Sequence, residues 1–167
     1  SYTATVTASD GTNSTDQGIT VSITNVNDNS PVFTSSATFS AAENQTSIGA
    51  IVASDDDGDS LTYSISGSDI TINSSTGVIA FASAPDYETK SSYTATVTAS
   101  DGTNSTDQSI TVSITNVNDN SPVFTSSASF TAEENQLSIG TVIATDADDD
   151  TLSYTLSGTD ASSMSIG

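Results

Sequence analysis

Cysteine, histidine, arginine and tryptophan are all absent from the 167 residues, and Lys90 is the single cation. Without cysteine there is no disulfide framework and no thiolate metal site, and without histidine the commonest transition-metal ligand and general base is missing. No nucleophile and base pair of the usual kinds can be assembled, so the chain is expected not to be an enzyme. Long apolar runs are missing too. The longest, such as Gly49 to Ala53, are strand-sized and far short of the roughly 18 residues of a membrane span. Neither end carries a signal peptide, and the N-terminus begins inside a repeat, so an extracellular location rests on indirect argument.

What the chain has in excess is acid. Twenty-one Asp and Glu residues against one cation give a formal net charge of −20. Nucleic acid and anionic membrane surfaces are excluded as partners, because binding either requires clustered Lys and Arg. Divalent cations are the natural counter-charge, held by hard oxygen ligands. Only 13% of residues are charged, and the apolar ones alternate regularly with Ser and Thr, which argues against disorder.

Residues 1–37 recur 91 positions later at 92–128 with one change, Gly18 to Ser109. Looser copies continue the period: FSAAENQTSIG at 39–49 matches FTAEENQLSIG at 130–140, and SDDDGDSLTYSISGSD at 54–69 matches TDADDDTLSYTLSGTD at 145–160. A period this long fits a whole small domain in tandem rather than a solenoid unit. Length alone would allow one domain or nearly two.

Within one period the pattern is strand after strand. Tyr93, Ala95, Val97 and Ala99 alternate with Thr and Ser, as do Ile110, Val112 and Ile114, the period-2 signature of a sheet with one buried face. The Asp101-Gly102 step between them predicts a hairpin. Leu61, Tyr63 and Ile65 form another alternating strand, Ile48 to Ala53 a continuous one, and Gly77 to Phe81 a short one; Phe33 and Phe39 are read as anchors of the first strand. No segment reads as a helix. About seven short strands in about 90 residues are the expectation for an all-β Greek-key sandwich. The expected division is 1–29, the last strands and exit linker of one repeat; 30–119, a complete repeat; and 120–167, the first half of the next. The cut halves are expected to belong to a longer polymer; the alternative is that they complement one another between chains as a head-to-tail fibre.

Acid recurs at fixed places in the period. These are Glu43 (and Glu134), Asp55 to Asp59 (and Asp146 to Asp150), Asp86 with Glu88, the runs Asn25–Asn29 and Asn116–Asn120, and Asp10 and Asp101 at a strand end. A strand leaving one sandwich meets the first loops of the next, so these segments converge at junctions, where carboxylates and carbonyls supply the six to eight oxygens of a calcium site. Each segment alone has a plainer reading. An Asp run is usually a solvated loop, and this one lacks the Glu of an EF-hand. Asp86 and Glu88 lack the cleft and aromatic platform of a glycosidase. The sequons at Asn13, Asn44, Asn73 and Asn104 arise readily by chance, and Tyr63 and Tyr93 are expected in the core.

Together the segments resemble cadherin repeats, particularly the Ser/Thr-rich bacterial variety. Asn116-Val117-Asn118-Asp119-Asn120-Ser121-Pro122 is similar to the cadherin linker D-x-N-D-N-x-P, Ala42-Glu43-Asn44 to x-E-N, Asp86-Tyr87-Glu88 to D-R-E, Asp146-Ala147-Asp148 to D-x-D, and Ala99-Ser100-Asp101 to A-x-D. The resemblance implies up to three calcium ions at the junction after residue 119. Glu43, Asp86, Glu88 and Asp119 would hold an outer ion, and Glu43, Glu88, Asp119 and Asp148 a middle one. Asn118, Asp146, Asp148 and the Asn120 carbonyl would hold a third. At the upstream junction, which includes Asp28, the chain supplies Asn27, Asn29, Asp55, Asp57 and Asp101, enough for the third site alone. Asn25 and Asn116 stand where the family has Asp, which implies weaker binding, filled at millimolar calcium. The implied role is an extracellular adhesive or structural rod whose partners are neighbouring repeats; the alternative is a calcium-dependent carbohydrate- or partner-binding module.

Overall fold

A computed structural model describes all residues from Ser1 to Gly167. In chain order the strands are β1 (Tyr2–Ser9), β2 (Ser14–Val21), β3 (Val32–Phe33), β4 (Thr38–Ala42), β5 (Ser47–Ala50), β6 (Ala53–Ser54), β7 (Thr62–Ile65), β8 (Ile70–Ile72), β9 (Val78–Phe81), β10 (Ser92–Ser100), β11 (Ser105–Thr115), β12 (Val123–Phe124) and β13 (Ala144–Thr145). The chain is all-β. Its one helical feature is a three-residue 3-10 turn at Ala161–Ser163, and no helix is long and apolar enough to cross a membrane.

The β10–β11 hairpin is the spine of the central sandwich. Tyr93 lies opposite Val112 and Ala95 opposite Ile110, so both alternating runs place their apolar residues on the same face. Gly102 turns the chain between them at φ +94°, a backbone region that costs glycine nothing. β4 adds to β11 in parallel, Thr38 beside Thr111 through Ala42 beside Thr115, and β7 adds antiparallel to β10. This gives a four-stranded sheet in the order β4-β11-β10-β7, packed against the three-stranded sheet β5-β9-β8. Between the sheets lie Ile51, Ile70, Ile79, Phe81, Val97, Ile110, Val112 and Ile114, all at most 5% exposed. Each such side chain contributes about 1.5–3 kcal/mol through removal from water. Tyr93 packs edge-on to Phe81 with ring centroids 5.0 Å apart, and the Tyr63 hydroxyl accepts the Ala53 N–H at 3.1 Å.

Two expected strands are each divided in the structure. Phe33 and Phe39 belong to different strands: β3 pairs with β6, while β4 crosses to the larger sheet. The bend between them is fixed by hydrogen bonds, since the Thr34 and Ser35 N–H groups both donate to the Val52 carbonyl and the Ser36 hydroxyl accepts the Thr38 N–H. The continuous run Ile48 to Ala53 splits likewise into β5, paired with β9, and β6, paired with β3. Strands that change sheets through such bends are a normal device for closing sandwich corners. β8 was not expected; its three residues lie between two turns, too short for alternation to register.

The flanking segments repeat this geometry where they repeat the sequence. β12 and β13 pair as β3 and β6 do, and the Ala144 N–H donates to the Tyr154 hydroxyl as Ala53 does to Tyr63. The β1–β2 hairpin has the register of β10–β11, yet nothing covers it: Val6 is 52% exposed where its counterpart Val97 is fully buried. Local sequence thus sets the pairing, while burial depends on the opposing sheet.

Gly77, at φ +69°, packs directly against the backbone of Ile51. A Cβ there would overlap the Ile51 carbonyl oxygen. Gly77→Ala is expected to destabilise the central sandwich by about 2 kcal/mol or more, against about 1 kcal/mol for Gly102→Ala, where the surroundings are open. Urea unfolding of the two variants separates steric overlap from backbone strain.

Candidate metal centre

The run Asn116 to Asn120 leaves β11 and passes across the loop that follows β13, and four carboxylates meet there. Oxygens of Glu43, Glu88, Asp119 and Asp148 all lie within 4.8 Å of one another. Glu43 follows β4 directly and is 3% exposed. Its two oxygens accept the N–H groups of Tyr87 and Val117, each at 2.7 Å, so one carboxylate ties the segment before β10 to the linker. Asp148, 7% exposed, takes the N–H groups of Asp119 and Asn120 at 3.1 and 2.8 Å and the Asn120 amide at 3.1 Å. Asn44, at φ +63°, donates its amide to Asp119. A cavity of about 160 Å³ opens between Glu43, Asn44, Asp86, Glu88, Asp119 and Asn120.

Not every residue implied by the resemblance joins this group. Asp86 lines the cavity, but its oxygens accept the Thr89 N–H and hydroxyl, both at 3.0 Å. Asn118 is exposed. Asp146 and Asp148 form a second cluster with Asp150, and upstream Asp55 and Asp57 do so with Asp59. Asp59 and Asp150 were not singled out among the ligands, although their alternate spacing in the Asp runs was available as a signal. The spacing works because the loop wraps round its first Asp: the Asp55 Oδ1 atom accepts the N–H of Asp57 at 2.9 Å and faces that of Asp59 at 3.4 Å.

The first linker repeats the arrangement with fewer acids. Asp28 and Asn29 donate their N–H groups to Asp57 at 3.0 and 2.8 Å, and the Asn25 amide reaches the Asp57 carbonyl at 2.8 Å. Asn116 does the same to the Asp148 carbonyl at 3.0 Å. Asn27 accepts the Asn104 amide at 2.9 Å, and Asp101 receives the N–H groups of Thr103 and Asn104. The donor roles of Asn25, Asn44, Asn104 and Asn116 were missed, because a sequence does not say which end of an amide faces a carboxylate.

These oxygens fit a hard divalent cation. Calcium–oxygen distances of about 2.3–2.6 Å allow ligand oxygens up to about 5 Å apart to share one ion, and the oxygens of the four-carboxylate group all lie within 4.8 Å of one another. The donors are oxygen throughout. The Asp55 Oδ2 atom is buried without any hydrogen-bond partner, an open valence such an ion could fill.

The electrostatics of the group are unequal. Loss of water pushes the Glu88 carboxyl up; its own backbone N–H opposes this, while the hydrogen bond to Asp148 and the charge of Glu43 add to the rise. Burial acts in the same sense on Asp148, but the Asn120 amide and N–H, Glu88 and the Asp119 N–H outweigh it and hold that carboxyl below its ordinary value. Asp57 is held down chiefly by the Asn29 N–H, and Asp101, despite burial, by Asn104 and Thr103.

Residues 36–117 match the family model of the cadherin domain. This segment is a cadherin domain. Among solved structures the chain is similar to cadherin ectodomains. It is 29% identical to the protocadherin gammaB7 EC3–6 cis-dimer structure, at TM-score 0.71, covering 87% of this chain and 42% of that one. To mouse cadherin-23 EC22–24 the identity is 25%, the TM-score 0.67 and the coverage 89% and 53%. To the human desmocollin-1 ectodomain the figures are 27%, 0.60, and 73% and 27%. The chain therefore spans about half or less of the cadherins it resembles. No curated protein matches it.

A carboxylate group of this charge should show its imbalance in the metal-free state. The raised Glu88 carboxyl favours the folded junction in acid and loses that contribution as pH rises through its own pKa. The lowered Asp148 carboxyl favours it above the ordinary carboxylate range and loses that contribution as pH falls through its own pKa. Glu88→Gln is expected to raise the melting temperature of the chelated chain at neutral pH and to leave it unchanged in strong acid. Calorimetry in EDTA at the two pH values checks this.

Proposed function

We propose that this chain is part of an extracellular structural or adhesive rod of cadherin repeats, stiffened by calcium at the linkers and without catalytic activity. Its division is taken as 1–29, 30–119 and 120–167, with β1–β2 the counterpart of β10–β11 and β12–β13 the counterpart of β3–β6. The observation that carries the reading is the group Glu43, Glu88, Asp119 and Asp148, whose members come from the body of one repeat, its exit linker and the first loops of the next. Without a cation these charges repel and the junction loosens. A cation that binds the gathered junction and not the loosened one shifts the equilibrium toward a stiff rod.

Asp86, Asn118, Asn120 and Asp146 complete the proposed ligand sets after residue 119, and Asn27, Asp28, Asn29, Asp55, Asp57 and Asp101 those of the first linker. Asn25 and Asn116 lower the charge of each set, which places filling in the millimolar range of extracellular fluids. The protocadherin and desmocollin structures are described as extracellular or ectodomain structures, and one of them as a cis-dimer, which supports the proposed location and a partner of the same kind.

Small-angle scattering of the chain is expected to show a longer maximum dimension in millimolar calcium than in EGTA, and limited proteolysis to cut in the linkers only after chelation. Glu43→Gln should weaken the tightest site roughly tenfold or more. Scattering curves that are unchanged by chelation would sink the proposal.

A further inference from the structure

Asn104 closes the Asp101-Gly102-Thr103-Asn104 turn, and its side chain reaches away from its own hairpin to the first linker. The amide nitrogen lies 2.9 Å from the Asn27 Oδ1 atom, 2.9 Å from the Asn29 carbonyl oxygen and 3.2 Å from the Asp101 Oδ2 atom. A carbonyl and a carboxylate accept only, so the atom among them is the nitrogen and not the amide oxygen. An amide nitrogen has two protons, yet three oxygens converge on it. Oxygens from a linker side chain, a linker main chain and a turn carboxylate gathered round one electropositive atom form a partial coordination sphere, and the nitrogen stands in for a cation.

The same turn sequence occurs at Asp10-Gly11-Thr12-Asn13. There Asp10 receives the N–H groups of Thr12 and Asn13 at 2.8 and 2.7 Å, as Asp101 receives those of Thr103 and Asn104 at 2.7 and 2.6 Å. The shape of the turn is therefore intrinsic to the sequence, and at Asn104 the linker contact is added to it. A second observation shows what the amide does not satisfy. In the loop that grips Asn29 through Asp57, the Asp55 Oδ2 atom remains buried and unpartnered.

We infer that Asn104 is an internal cation surrogate: its amide holds the first linker against the β10–β11 turn when no cation is bound, and must swing aside before a cation can occupy those oxygens. This rests on the reading that calcium binds at the linkers. The amide protons do weakly what an ion does strongly, drawing Asn27, Asn29 and Asp101 to one point. An ion entering there has to displace these hydrogen bonds, so this position fills last. Asn104 tunes the affinity of the first linker and keeps it partly ordered at low calcium.

The test uses the full chain. In EDTA the side-chain NH2 protons of Asn104 are expected to exchange with solvent more slowly than those of Asn13, and their resonances to move only in the last stage of a calcium titration. Asn104→Ala should tighten the weakest calcium step by roughly three- to tenfold, on the scale of one net hydrogen bond. Asn104→Ser should act in the same direction, whereas Asn13→Ala should leave that step where it is. Equal exchange of the Asn104 and Asn13 amides in EDTA, or a weakest step that is unmoved or weakened in both Asn104 variants, overturns the inference. A chain that binds no calcium at all overturns the rod reading instead, and the exchange comparison still decides whether the amide holds the linker.

Discussion

Two backbone N–H groups, those of Tyr87 and Val117, converge on the buried carboxylate of Glu43, and the architecture of the junction hangs on that convergence. A buried carboxylate is tolerated only when its oxygens are satisfied, and here they are satisfied by two segments that would otherwise be loose: the stretch before β10 and the linker after β11. Once they are fixed, Glu88 and Asp119 stand beside Glu43, and the loop after β13 brings Asp148 to meet them. The price is a concentration of negative charge at one point.

The sandwich behind the junction is built by simpler forces. Alternating apolar residues on β10 and β11 fill the space between two sheets, while the Thr and Ser between them favour the strand and in places bond across it, as the Thr98 hydroxyl does to Asp107 and the Ser100 hydroxyl to the Asn104 carbonyl. The division of labour explains how long stretches of identical sequence can serve twice. The β1–β2 hairpin keeps the register of its copy even with its apolar face uncovered, because cross-strand pairing is local. Burial is not local, and Val97 owes its complete enclosure to β5, β8 and β9.

Much of this could be read from the residues. The period, the hairpin at Asp101-Gly102, the alternation of Tyr93 to Ala99 and the gathering of acids at repeat boundaries all follow from spacing and composition. What could not be read depends on hydrogen bonds across long separations. The break between Phe33 and Phe39 arises from the Val52 carbonyl, some 18 residues away, and no pattern within either strand announces it. Asp86 looked equivalent to Glu88, but Thr89 draws its carboxylate into a local turn. The asparagines were the least legible, since the same side chain can offer an oxygen to a metal or a proton to a carboxylate, and only its neighbours decide.

One pairing has a mechanical side. β4 lies parallel to β11 over five residue pairs, with the chain entering the repeat ahead of β4 and leaving it beyond β11. Tension applied along the chain therefore pulls these two strands past one another in opposite directions, and their cross-strand hydrogen bonds lie athwart the load. Such a contact cannot be peeled open bond by bond; it has to slip as a unit. Under such a load the outermost strand of the larger sheet would act as a catch.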